Sequence, residues 1–474
     1  MNYQNLPQAT SIRGDEQLVL IRNGVAYRAT FADLRKAEPG SDGIYPDHPI
    51  NYIEMVRSVG QESPTVVLSG NPDILNRIMA MCFPCTIDRN SIVTQLLNGR
   101  DVTQTIDGRP ANITDPEQPC MVRIGGIYKR YFYDAETDTK HIRYSVYPIR
   151  GYKYVRRRYL SMYNGHVTTA TSDGKTIMTS VSDVFCTYNM NIEQYHSYAK
   201  NLGSHFRAQA SQDRNLYAHL FFMVKKTYDC QSVYNGLDLD WNTWWNFDRT
   251  NDGGQANCGQ LYKTGVLNGL KSHEGESTVE ATDDNGVVIN AKPNKWLWRE
   301  DQLNGPYWIR ETGYVKENNV WYEAKNINTI ANFTPVASPD EWTAIFENPI
   351  TKEGYISEMF EDTNLPIAVE GSSSKGYCDN FWNDMQSDRR IPLSLGGASL
   401  GTARGLSCLN SNNAPSNSNP NNGAALTTSR NCLIAARRKP KIADRRPLHR
   451  QHHYAGHGEN RLHHDTTSSG WKHL

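Results

Sequence analysis

The sequence predicts an α+β fold, and two observations lead to this prediction. Residues 191–229 hold two helical patterns, whereas short apolar stretches that alternate with polar residues recur on both sides of them. Glycine-rich and asparagine-rich turns separate these stretches, as is typical of antiparallel strands joined by short connections. The expected arrangement is a few helices packed against antiparallel strands in a two-layer core.

The composition points to neither a nucleic-acid-binding nor a membrane protein. The 474 residues suffice for two or three domains, and 50 basic side chains balance 50 acidic ones. No apolar run is long enough to cross a bilayer, and the first residues lack a secretion-signal pattern. Nine scattered cysteines, an odd number, favour reduced thiols and assembly in a cytoplasm.

Residues 1–43 are expected to form a small N-terminal hairpin. Residues 18–21 and 25–29 are strand candidates, and Asn23 and Gly24 between them are a strong signal for a two-residue turn. A hairpin of this size is not stable alone, so it must pack on something else.

Residues 44–118 are predicted to be a β-rich connector domain without chemistry of its own. Residues 63–69 are typical of a strand, and residues 73–81 place Ile74, Ile78 and Met81 on one helical face. The main domain is expected over residues 119–426, where aromatic-rich strand candidates begin.

The two helices of the main domain have the clearest patterns. Residues 192–202 repeat apolar side chains at helical spacing. Residues 216–224 form a second apolar run, for which Asp213 is a plausible N-cap. Because this run is apolar on nearly every side, the second helix is expected to be largely buried.

Residues 391–426 differ from the rest of the chain in composition. Glycines recur at positions 396, 397, 401 and 405, which indicates backbone at positive φ or in close approach. Seven of the thirteen residues from Asn410 to Asn422 are asparagine. Asn and Ser supply adaptable hydrogen bonds on binding loops, although a low-complexity polar loop has the same composition.

Several of these segments together resemble one protein family. They are Gly396-Gly397, Gly405-Leu406, the run 412–419, the segment 148–152 and the segment 377–382. This combination is similar to the variable proteins of diversity-generating retroelements, which have a C-type-lectin-like fold and are mostly phage receptor-binding tips. The resemblance implies two helices on a small twisted antiparallel sheet with long loops, preceded by a small β-rich N-terminal region.

The resemblance also implies a function. The chain would be a tail or head fibre protein of the virion, assembled in the host cytoplasm, that binds a host surface receptor, either protein or glycan. Its N-terminal hairpin would attach to other virion proteins, and the chain would form a homotrimer. The resemblance implies no membrane insertion, no catalysis, no metal and no cofactor.

The family's variable positions map onto residues 391–426. The glycines Gly396, Gly397 and Gly405, with Leu406, are expected to be scaffold. The exposed, ligand-binding side chains are expected to be Ser399, Leu400, Thr402, Arg404, Ser407, Cys408, Asn410 and Ser411.

Two motifs point weakly to other chemistry. Cys82 and Cys85 have the spacing of redox centres, but neither a βαβ context nor a second cysteine pair accompanies them. Trp382-Asn383-Asp384 matches a calcium-binding tripeptide of animal C-type lectins, but its partner motif is missing.

Enzyme and structural alternatives remain open. A formylglycine-generating type of enzyme would need reactive cysteines, and Cys378, Cys408 and Cys432 are available. A glycan depolymerase would need paired carboxylates, for which the candidates are Asp238 with Asp240 and Glu358 with Glu361. A purely structural virion fibre is the third alternative. Residues 427–474 form a basic, histidine-rich tail that is expected to be disordered.

Overall fold

A computed structural model describes residues 17–22, 25–30, 42–236, 238–249, 261–330, 332–383 and 388–428. All of these residues belong to one compact unit, Met1–Ala435. The tail predicted at 427–474 lies outside the described residues from 429 onward.

The strands are numbered along the chain. The first sixteen are β1 Gln17–Arg22, β2 Val25–Thr30, β3 Ile53–Ser58, β4 Val67–Gly70, β5 Phe83–Ile87, β6 Val93–Asn98, β7 Asp101–Thr105, β8 Cys120–Ile124, β9 Ile127–Asp134, β10 Thr139–Ser145, β11 Lys153–Val155, β12 Arg158–Ser161, β13 His166–Thr169, β14 Thr176–Thr179, β15 Phe206–Ala208 and β16 Gly275–Glu276. The others are β17 Val279–Thr282, β18 Val288–Ala291, β19 Asn294–Trp296, β20 Arg299–Glu300, β21 Trp308–Arg310, β22 Tyr314–Glu317, β23 Val320–Ala324, β24 Trp342–Glu347, β25 Gly354–Tyr355, β26 Glu358–Phe360, β27 Leu365–Ala368, β28 Asn380–Trp382, β29 Ile391–Ser394, β30 Leu409–Asn413, β31 Asn422–Ala424 and β32 Leu426–Thr428.

The helices are fewer and shorter. The α-helices among the described residues are α1 Pro72–Ala80, α2 Ile192–Leu202, α3 Ser211–Lys225 and α4 Trp241–Asn246. Two 3₁₀ helices span Pro49–Asn51 and Ala398–Ala403.

The predicted fold class is wrong. Strands contain 36% of the residues in the structure and helices 14%. The strands form many small, mostly antiparallel sheets rather than one small sheet that carries two helices. The C-type-lectin-like arrangement is therefore not what the chain adopts. The error arose because many strands have only two to four residues, which is too short for an alternating pattern to stand out from loop sequence.

Three larger sheets organise the molecule. One has the strand order β15-β32-β12-β8-β5-β6-β7, another β25-β28-β30-β29-β21-β31, and the third β11-β9-β10-β3-β4. Because β5 pairs with β8, residues 44–118 share a sheet with the segment that follows the predicted boundary at 118. The smaller sheets are β1-β2, β13-β14, β16-β19-β20, β17-β18, β22-β23-β24 and β26-β27.

Local signals identified several elements correctly. The N-terminal strands form an antiparallel pair in which Arg22 lies opposite Val25, as the turn signal between them predicted. The predicted helix at 192–202 is confirmed as α2, which begins with a capping box. The side-chain oxygen of Asn191 accepts a hydrogen bond from the backbone amide of Gln194, and the side-chain oxygen of Gln194 accepts one from the backbone amide of Asn191.

Helix α3 is buried on almost every side, as predicted, but it begins earlier than expected. Its first residue is Ser211, so Asp213 lies in the first turn rather than at the N-cap. There its buried carboxylate binds Arg207 at 2.7 Å and Arg158 at 2.8 Å. The aromatic side chains of α3 pack on Trp296, with ring centroids 4.9 Å away for Tyr217 and 5.3 Å for Phe221.

No helix in the described ranges is both long and apolar enough to span a bilayer.

Candidate ligand-binding face

The predicted binding segment begins where strand β29 ends. Leu395 and Gly396 both have positive φ, 73° and 76°, so the chain turns sharply out of the sheet. A 3₁₀ helix over Ala398–Ala403 follows, and Gly401 breaks it with φ 51° and ψ −126°. The segment thus leaves the six-stranded sheet, forms one kinked turn at the surface and returns to the sheet as β30.

Half of the predicted ligand-binding side chains reach solvent. Thr402 is exposed, whereas Ser399, Leu400 and Asn410 are half-buried. The other predicted residues are Arg404, Ser407, Cys408 and Ser411, and all of them are buried. For these four the expected exposure is wrong. Ser411 lies on β30, an inner strand between β28 and β29, and the segment just before β30 is held by the buried Asp379.

Arg404 shows how the segment is fixed. Its side chain is 0% exposed and donates to the Gly305 carbonyl at 3.4 Å, while its own carbonyl accepts from the Gln231 side-chain amide. Burial lowers the pKa of the guanidinium to about 10. Arg404 therefore acts as an internal anchor of the turn rather than as a contact for a ligand.

A second anchor is Asp379 on the neighbouring segment. Its buried carboxylate accepts from the Ser407 backbone amide at 2.7 Å, and burial raises its pKa well above the usual range. A Cβ at Gly405 would lie 2.4 Å from Oδ1 of Asp379 and 2.6 Å from Sγ of Cys230. Only glycine fits at position 405, so its predicted scaffold role is confirmed.

The other predicted scaffold positions are also tightly packed. A Cβ at Gly396, where φ is 76°, would lie 2.5 Å from Cβ of Arg404, and one at Gly397 would lie 2.9 Å from the ring of Trp244. Leu406 is fully buried, and its carbonyl accepts from Arg214 at 2.6 Å. These contacts hold the ends of the turn while its middle faces outward.

Helix α4 completes the exposed side of this turn. Trp241 is 51% exposed and stacks on Trp245, with ring centroids 5.0 Å apart and an interplanar angle of 16°. Trp244, fully buried, lies under Trp241 at 5.3 Å and against Gly397. The sequence shows these tryptophans as a cluster, but nothing in it places them beside residues 398–403.

Tyr355 lies on the other side of the turn. Its hydroxyl is 3.3 Å from the hydroxyl of Thr402. Close to Tyr355 in the sequence, the Glu353 carboxylate accepts from the side-chain amide of Asn412 at 3.2 Å. We call the resulting surface the tryptophan face and define it by Trp241, Trp245, Tyr355, Ser399, Leu400 and Thr402.

The thiols considered for catalysis are unsuited to it. Burial raises the pKa of Cys82 to about 12, and Cys85 beside it is also fully enclosed. Burial also raises the pKa of Cys378 to about 12 and that of Cys408 well above the usual range. A reactive cysteine needs the opposite shift. Cys432 lies outside the described residues.

The carboxylate pairs have structural contacts. Glu358 and Glu361 both bind the buried amine of Lys140, at 2.5 and 3.3 Å. Asp240 caps helix α4 by accepting from the Thr243 amide at 3.0 Å, and Asp238 lies near Gly401. The contacts of Glu358, Glu361 and Asp240 account for their positions without a catalytic role.

The calcium motif is only partly within the described chain. Oδ1 of Asn383 accepts from Nζ of Lys316 at 2.7 Å, so a cation already occupies the position a metal would need. Asp384 lies outside the described residues. Within the described part of the chain, no group of three or more His, Cys, Asp or Glu side chains is arranged to hold a metal ion.

Comparison of the sequence with known protein families and with curated proteins finds no match.

Proposed function

We propose that this chain is a receptor-binding protein of a phage virion and that the tryptophan face contacts the host ligand. The observation that supports this most strongly is the pair of stacked indoles beside the exposed middle of the 398–403 turn. Tryptophan is enriched among the residues that dominate the energetics of binding surfaces.

The design of the face fits a binding role. Its supports, Trp244, Arg404 and Leu406, are buried. Its members Ser399 and Thr402 lie on a turn whose ends are held in place, so replacing them changes the surface without disturbing the core. Leu400, half-buried, packs against the core and is the less replaceable of the three. A rigid frame with replaceable side chains suits a surface that must recognise different host receptors, protein or glycan.

We place the chain among binding proteins rather than enzymes because the thiols and the Glu358–Glu361 pair weighed for catalysis are enclosed in structural contacts. As further parts of the proposal, the N-terminal hairpin attaches to other virion proteins, and three copies assemble as a trimer. Weak single-site contacts would then gain avidity from simultaneous binding.

The replacement Trp241→Ala tests the face. It removes a half-exposed ring that stacks on Trp245 and covers Trp244, so we expect stability to fall by about 1–2 kcal/mol while the chain stays folded. Binding should fall by at least about tenfold, as for a hot-spot tryptophan. The measurement is retention of the purified chain on a panel of bacterial isolates and on a glycan array.

Tyr133→Ala is the matched control, because Tyr133 is an equally exposed aromatic residue, 51% accessible, on strand β9. It should bind like the parent. If Trp241→Ala also retains full binding to every target that the parent binds, the tryptophan face is not the binding surface.

A further inference from the structure

A cleft of about 530 Å³ lies beside the five-stranded sheet, and basic side chains dominate its walls. Strands β9 and β11 form one side, and the turns around residues 151 and 362 complete it. Its charged lining residues are Lys129, Arg130, Lys153, Arg156, Arg158 and Asp362. None of these belongs to the tryptophan face.

Three of the five cations are held by carboxylates. Lys129 binds Asp362 at 3.0 Å, Arg130 binds Asp47 at 2.6 Å, and Arg158 binds the buried Asp213 at 2.8 Å. These pairs fix the walls of the cleft. Because each of these cations has an internal counter-ion, they contribute shape and donors rather than unbalanced charge.

Lys153 and Arg156 differ from these three. Both are exposed, and neither forms an ion pair with a carboxylate in the described part of the chain. Lys153 also lies directly opposite Lys129 in the antiparallel pairing of β11 with β9. Like charges at facing positions of a sheet destabilise it. Asp362, which binds Lys129, also interacts with Lys153, so its carboxylate offsets part of that repulsion.

The rim carries an aromatic surface. Tyr154, between Lys153 and Arg156 in the sequence, is 50% exposed and packs on Tyr128 with ring centroids 5.2 Å apart. An exposed aromatic ring next to cationic donors suits a sugar ring that carries a negative group, because the ring offers an apolar platform and the cations bind the charge.

The size of the cleft argues against a nucleic acid. Its volume is that of a small-ligand site, whereas nucleic-acid interfaces are broad basic surfaces. The chain as a whole has zero net charge, whereas nucleic-acid interfaces are strongly basic.

We propose that this cleft is a second binding site, which takes an anionic polysaccharide. A phosphate or carboxylate group of the glycan lies between Lys153 and Arg156, and a sugar ring stacks on Tyr154. Phosphate and carboxylate share this chemistry, and the two polymers used in the test distinguish them.

The test measures binding of the full chain to poly(glycerol phosphate) and to polygalacturonate at low and high salt. Neutral dextran and a thymidine oligonucleotide serve as comparison ligands. We expect salt-sensitive binding to at least one anionic polymer and none to dextran. Binding to neither anionic polymer, or tighter binding to the oligonucleotide than to both, would overturn the proposal.

The double replacement Lys153→Glu with Arg156→Glu should weaken this binding by at least about tenfold. Its matched control is Arg100→Glu with Lys292→Glu, which makes the same change in net charge at exposed positions outside the cleft. An equal loss in both doubles would show that only total charge matters and would overturn the site.

Thermal stability separates loss of the site from loss of the fold. Lys153→Glu alone changes an exposed side chain on the edge strand β11, so its melting temperature should stay close to that of the parent while polymer binding falls. Trp241→Ala should leave polymer binding unchanged, so this site can fail or succeed independently of the tryptophan face.

Discussion

Replacing Glu311 with alanine is expected to lower the free energy of unfolding by about 3–5 kcal/mol, the cost of leaving a buried cation without its partner. The Glu311 carboxylate is fully buried and binds Nε of Arg214, itself buried, at 2.8 Å. It also accepts from the hydroxyls of Ser211 at 2.7 Å and Ser394 at 2.8 Å. Removing it leaves all three donors unsatisfied.

This network also supports the candidate site. Ser394 is the last residue of β29, just before the surface turn, and Arg214 binds the Leu406 carbonyl just after it. Glu311 thus ties both ends of the turn to helix α3. We expect Glu311→Ala to reduce ligand binding at the tryptophan face as well as stability.

Chemical denaturation of Glu311→Ala, Glu311→Gln and the parent measures the effect. The glutamine keeps hydrogen-bonding capacity but not charge, so its loss should be intermediate. Glu280→Ala removes an exposed glutamate from strand β17 and should change stability by less than about 0.5 kcal/mol. A loss below about 1 kcal/mol for Glu311→Ala would show that the network contributes little.

The second large expected effect is a loss of folding stability at acidic pH that depends on His219. Its ring is buried between the Tyr144 hydroxyl, 2.6 Å from Nδ1, and Oδ1 of Asn364, 2.9 Å from Nε2. Burial, reinforced by nearby Lys129, lowers the pKa of His219 to about 3. The histidine is therefore neutral in the folded protein over the range in which an unfolded histidine becomes charged.

Stability falls with falling pH because the unfolded chain takes up a proton at His219 before the folded protein does. A histidine with a lowered folded pKa contributes stability above the unfolded value of 6.5 and loses it as the pH falls toward about 3. Between pH 7 and pH 5 this loss amounts to about 2 kcal/mol for one such group. Other buried groups titrate in the same range, so the measurement must compare variants.

We expect the stability difference between the parent and His219→Gln to shrink by about 2 kcal/mol when the pH is lowered from 7 to 5. Glutamine cannot be charged but can still donate and accept. Denaturant unfolding at both pH values gives the four free energies. His273→Gln, at a half-buried histidine, is the comparison variant. A difference that stays constant would mean that His219 takes up a proton as readily in the folded protein as in the unfolded chain, and would contradict the prediction.

The sequence predicted elements that depend on neighbouring residues. The turn at residues 23–24 predicted the pairing of β1 with β2, and the periodicity of residues 192–202 predicted helix α2. The fold class failed because the sheets depend on pairings between distant residues, such as Tyr159 with Thr428. No local pattern encodes such pairings, and strands of two or three residues carry almost no periodicity of their own.

The site was predicted in part for the same reason. The glycines marked the turn correctly, because positive φ and close approach are properties of the residue itself. Arg404, Ser407 and Ser411 are polar and lie in a polar sequence, so exposure was the natural expectation. They are buried because their partners, such as Gly305 and Asp379, come from other parts of the chain.

The position of β32 has a consequence for how the protein is made. Residues 426–428 form the strand between β12 and β15, which the ribosome synthesises more than two hundred residues earlier. Until β32 emerges, β12 keeps an open edge and β15 has no strand neighbour in this sheet, within the described residues. The seven-stranded sheet is therefore complete only after nearly the whole unit has been translated. A nascent chain arrested before residue 426 carries strand edges that are prone to aggregation.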